Sequence, residues 1–96
     1  MATRTSNLYG KIVVSNRAIR SVADLAICEC YGVASGRVTY IGVDENKIDM
    51  VIRMHLRFGV TPNAIAESVR KSVKYNVERF TGMTVSVVNI LVIGVK

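Results

Sequence analysis

The chain has no tryptophan, one proline, one histidine and two cysteines among its 96 residues. Each scarcity closes a class of chemistry. One histidine without a marked nucleophile or orienting carboxylate gives no catalytic constellation. The seven carboxylates are dispersed, and the nearest grouping, Asp44, Glu45 and Asp49, falls at an expected exposed turn rather than at metal-ligand spacing. Cys28 and Cys30 stand two apart in an expected helix, where about 100° per residue sends them to nearly opposite sides. They can neither bridge each other nor share a metal ion.

Long apolar runs are missing as well. The longest, from Val87 to Ile93, is broken by Asn89 and is far shorter than the roughly 20 residues that span a bilayer. Residues 1–8 contain Arg4 and small polar side chains but no apolar core of a secretory leader, so the expectation is a soluble, cytosolic protein. No loop that would cradle a phosphate is present, because the stretch from Gly32 to Gly36 lacks a following Lys-Ser or Lys-Thr pair. The reading is a protein without catalytic residues, cofactor, metal or small-molecule substrate.

What the chain does contain is pattern. Half of its residues are apolar and about a fifth charged, a composition that folds, and its length suits one domain with one modest core. Residues 1–7 read as a short arm and residues 8–96 as a single α+β domain. Leu8, Gly10, Ile12 and Val14 alternate as in a first strand. Ser15 is a good helix N-cap, and Ile19, Val22, Ala23, Ala26, Ile27 and Cys30 follow at helical spacing up to Gly32. A short strand is expected from Arg37 to Val43, then a polar turn at residues 44–47.

The clearest strand puts Ile48, Met50, Ile52, Met54, Leu56 and Phe58 on one face and Asp49, Val51, Arg53, His55 and Arg57 on the other. Gly59 closes it. Thr61-Pro62 opens a second helix whose stripe is Ile65, Val69, Val73, Val77 and Phe80, and Thr81-Gly82 ends it. A last strand runs from Met83 to Ile93, with its alternation slipping near Val87-Val88 as at a bulge. The expected order is βαββαβ: a four-stranded, mainly antiparallel sheet of the split βαβ kind, with two helices packed on one face.

Such a sheet leaves its other face open. Val13, Val51, Leu91 and Ile93 are expected there, flanked by Lys11, Arg53 and Arg57, and an exposed apolar patch of this kind marks an association surface. The last strand, expected at a sheet edge without proline, is a template for pairing. The net charge of +6 raises nucleic acid or an anionic lipid surface as an alternative partner, with Arg70, Lys71 and Lys74 of the second helix as the anion-contacting candidates. Nucleic acid is not favoured: the order matches an RNA-recognition module, but the strand at residues 49–57 lacks its stacking aromatics and no GxxG clamp occurs.

Two blocks of residues carry a family likeness. The first is Gly10, Ile12, Val14-Ser15, Ala18-Ile19, Val22-Ala23, Ala26, Glu29 and Gly32-Val33. The second is Phe58-Gly59-Val60, Val69, Val73, Val77-Glu78, Thr81-Gly82, Val85, Val88-Asn89-Ile90, Val92 and Gly94-Val95. Together they resemble the alkaline shock protein family of bacterial envelope stress response proteins. The resemblance implies a cytoplasmic, non-enzymatic scaffold that self-associates as a homo-oligomer, is held in some members at the inner face of the membrane by a membrane-anchored adaptor protein, and serves cell-envelope homeostasis. It carries over no catalytic residue.

Overall fold

The structure is a computed structural model that describes residues 15–96. The expected arm, the expected first strand at residues 8–14 and the contact residue Val13 lie outside the described residues. The described chain runs as α1 (Asn16–Cys28), β1 (Val33–Asp44), β2 (Lys47–Leu56), α2 (Pro62–Thr81) and β3 (Thr84–Val95).

Local chemistry sets these boundaries. The Ser15 hydroxyl accepts from the Ala18 N–H at 3.1 Å and starts α1 as expected. The helix stops earlier than its periodicity suggests, with Glu29 as C-cap, so Cys30 lies beyond it; the Cys30 thiol donates to the Ala26 carbonyl at 3.3 Å. Gly32 belongs to the following turn rather than to the helix end. Its φ is +90°, and a Cβ there would stand 2.6 Å from Cδ1 of Ile65, so both backbone conformation and packing call for glycine. The Gly32 carbonyl accepts from the Arg57 N–H at 2.8 Å, tying this turn to the end of β2.

The sheet is three-stranded among the described residues, in the order β1-β2-β3. A two-residue turn joins β1 to β2 as an antiparallel hairpin, Asp44 opposite Lys47. Helix α2 returns the chain along its full length before β3 begins, so β3 pairs with β2 in parallel. This corrects the expected arrangement. A split βαβ sheet would hold another strand between β2 and β3, whereas these two hydrogen-bond directly, and of the two described pairings one is antiparallel and one parallel.

Both helices cover one face of the sheet and close one core. From β2 it takes Ile48, Met50, Ile52, Met54 and Leu56, none more than 1% exposed, from α1 Ile19, Ala23, Ala26 and Ile27, and from α2 Ile65, Val69, Val73 and Val77. Two expected core aromatics are outside it. Phe58 is 89% exposed because β2 ends at Leu56 and the chain turns away at Gly59. Phe80 is half exposed in the last turn of α2, and Met83, just before β3, packs on the core instead.

Each outer strand is gripped by its helix through the same device. On β1 the extra residue Thr39 breaks the register, and beside it Arg20 donates to the Val38 carbonyl while the Asp24 carboxylate accepts from the Val38 N–H at 2.8 Å. On β3 the first extra residue is Ser86. Beside it Lys74 donates to the Val85 carbonyl at 3.2 Å and Glu78 accepts from the Val85 N–H at 2.9 Å. At these two of the four register shifts, the backbone N–H and carbonyl of one strand residue are thus answered by oppositely charged side chains four residues apart on a helix.

Candidate contact surface on the open sheet face

The face of the sheet away from the helices is built from alternate residues in rows across the three strands. Gly42, Asp49 and Val87 form the first row, Tyr40, Val51 and Asn89 the second, Arg37, Arg53 and Leu91 the third. Ser35, His55 and Gly94 form the fourth, with the bulged Ile93 beside it. Val51 is half-buried between its neighbours, whereas Arg53 and Arg57 are exposed, Leu91 is 49% exposed and Ile93 44%.

The structure therefore does not join Val51, Leu91 and Ile93 into one apolar patch: Asn89 stands beside Val51, and Arg53 beside Leu91. The apolar surface instead follows β3 itself. Val87, Leu91 and Ile93 are exposed on the open side; Val92 and Val95, in register with buried Met54 and Leu56, are exposed on the helix side where α2 leaves the strand uncovered. Strand periodicity alone could have flagged Val87, since it precedes Leu91 on the same face. The exposure of Val92 and Val95 depends on where α2 passes and has no local signal.

The second set of candidates is largely occupied. All three are exposed, but Arg70 pairs with Glu67 and Lys74 lies 2.7 Å from the Glu78 carboxylate, leaving Lys71 as the one of the three without an ion pair among the described residues. The Lys74 ammonium, then the Val85 N–H, holds the Glu78 carboxyl below its ordinary pKa of 4.5. His55 lies opposite Ser35, and the described residues hold no group of three His, Cys, Asp or Glu side chains suited to a metal ion.

The geometry of β1, β2, α2 and β3 coincides with a sequence match. Residues 36–96 fit the model of the alkaline shock protein family, described by its cell envelope-related function. The chain belongs to the alkaline shock protein family. This is the family that the residue pattern resembles, and the matched segment begins within β1 and carries both β2 and the whole β2-α2-β3 crossover. Among curated proteins, one similar to this alkaline shock family chain is the "Uncharacterized protein YloU" of Bacillus subtilis (strain 168), 26% identical over 116 aligned positions that cover 100% of this chain and 97% of that protein. No solved structure matches. No helix among the described residues is long and apolar enough to cross a membrane.

Proposed function

We propose that this alkaline shock family chain is a non-enzymatic assembly module with a cell envelope-related role, and that β3 is its contact strand, pairing with a second copy or with a membrane-anchored adaptor. One observation carries the reading. Among the described residues β3 has β2 as its sole neighbour, and Val87, Leu91, Val92, Ile93 and Val95 along it are 41–59% exposed. A strand edge with apolar side chains on both faces is stabilised by adding a further strand.

Magnitudes set the strength of the contact. Burying the exposed halves of five such side chains contributes roughly 5 kcal/mol at ~25 cal/mol per Å², against an association cost of the same order. A second copy therefore binds weakly to moderately. Light scattering on Val87→Lys and Leu91→Lys tests this: the parent chain is expected as an oligomer and both variants as monomers, with unchanged circular dichroism. A monomeric parent, or oligomers for both folded variants, removes the proposal.

A further inference from the structure

At the end of the sheet where β2 and β3 finish, the open face carries a cleft of about 340 Å³ whose lining includes Ser35, Arg37, Arg53, His55, Ile93 and Lys96. Arg37 and Arg53 stand directly opposite each other on β1 and β2, a like-charge placement that costs stability unless an anion lies between. Lys96 reaches across β2, its ammonium 3.2 Å from the Ser35 hydroxyl. No Asp or Glu side chain lines the cleft, and the ion pairs found among the described residues lie on α2. Asp44, Glu45 and Asp49 are at the opposite end, around the β1–β2 turn. The fold thus separates charge along the strands: Arg37 and Arg53 face no acidic strand residue, and the acidic side chain nearest in sequence to this end, the exposed Glu29, lies at the end of α1.

The same end presents two aromatics. Tyr31 is 84% exposed in the turn before β1, and Phe58 is 89% exposed in the turn after β2, next to the exposed Arg57. The Arg57 N–H bonds to Gly32 and the Lys96 N–H to Leu56, so both turns adjoin the strand that lines the cleft. A large apolar ring held in water beside clustered cations is the composition of a surface that settles at the headgroup level of an anionic bilayer.

We propose that this end of the sheet docks onto an anionic phospholipid surface. A headgroup phosphate enters the cleft between Arg37 and Arg53, whose planar guanidiniums suit phosphate oxygens, with Lys96 as the third cation. Phe58 and Tyr31 lie against the lipid at its interface. The site uses residues outside the β3 contact strand for most of its charge and does not require the proposed assembly.

Flotation of the full chain with phosphatidylglycerol vesicles at low salt tests the site, with phosphatidylcholine vesicles as control. Binding to the anionic vesicles alone is expected. The pair Arg37→Gln/Lys96→Gln should lower affinity about 25-fold, at roughly fivefold per cation near the surface, while its mass in light scattering stays that of the parent. Phe58→Ser should lower it several-fold, and the α2 pair Arg70→Gln/Lys71→Gln by less than about twofold. Absence of binding to anionic vesicles, or an equal loss in the α2 pair, overturns the proposal. Glycerol phosphate bound as tightly as vesicles would assign the cleft to a soluble phosphate ester, and binding of RNA without vesicle binding would assign this end to nucleic acid; either overturns the lipid docking.

Discussion

Val38 and Val85 are each held by a cation and a carboxylate that lie four residues apart on a helix. The spacing matters because four residues place two side chains on one helix face, so one grips the carbonyl and the other the N–H of a single strand residue. The energetic weight falls on the acceptor, since a half-buried N–H left without a partner loses its water and gains nothing. Asp24→Ala should therefore lower stability by about 1–3 kcal/mol in urea unfolding, whereas Thr39→Ala, whose hydroxyl makes an exposed bond to the Val51 carbonyl, should be nearly neutral. Equal effects would mean that the bulge is held by packing alone.

This device also marks how far the residues could be read without the fold. The pairing of Lys74 with Glu78 is visible as an i, i+4 spacing and reads as a solvated helix face. Its second role, answering Val85, depends on β3 passing beside α2. Arg20 and Asp24 have the same spacing but gave no sign of a shared task until Val38 arrived between them. Core positions behaved differently: Ile48, Met50, Ile52, Met54 and Leu56 follow a period of two whatever their partners, and all five are buried.

At the scale of elements, type was legible and neighbourhood was not. Both helices start at the expected residues, α1 through the Ser15 cap bond and α2 with Pro62 at its first position, where the Thr61 side chain makes no cap bond. β1 begins at Val33 rather than Arg37, because Val33, Ser35 and Gly36 pair with the end of β2 although Ala34-Ser35-Gly36 has loop composition and Ala34 is an unpaired extra residue. Gly36 is tolerated there for a packing reason: a Cβ would stand 2.8 Å from Ile27 and 2.9 Å from Met54, so the glycine lets α1 approach the sheet. The slip in β3 expected near Val87-Val88 is present at Ser86 and recurs at Ile93. The parallel contact of β2 with β3 was hidden, since alternation tells which side chains share a face and not which strand lies next door.

The attachment of α2 to β3 carries a pH signature. The Glu78 carboxyl titrates below its ordinary 4.5 in the folded chain because the Lys74 ammonium and the Val85 N–H favour its charged form. A depressed folded value means that the unfolded state takes up the proton first as pH falls. The contribution is thus complete above about pH 4.5 and is lost as pH drops through the lower folded value. Glu78→Gln should be less stable than the parent at neutral pH and should converge with it in acid. Parallel acid limbs for the two proteins would show that the carboxylate charge does not hold this edge.

Across the whole molecule, the two proposed surfaces share one sheet but differ in chemistry and position. β1 and β3 are each 12 residues long, about 40 Å at ~3.3 Å per residue, which is long enough to keep the acidic turn well beyond a Debye length of about 8 Å from the basic end. The apolar side chains run along β3, and the cations gather where the strands finish. An oligomer joined through β3 would present more than one basic end, and linked sites bind a surface with an avidity that no single site has. Leu91→Gln, which removes an apolar contact without adding charge, should therefore yield a monomer whose apparent affinity for anionic vesicles falls about 10- to 100-fold. Its residual binding should keep the salt dependence of a single basic end. A monomeric Leu91→Gln that binds vesicles as tightly as the oligomeric parent would separate assembly from membrane docking altogether, and an oligomeric one would leave β3 without the contact assigned to it.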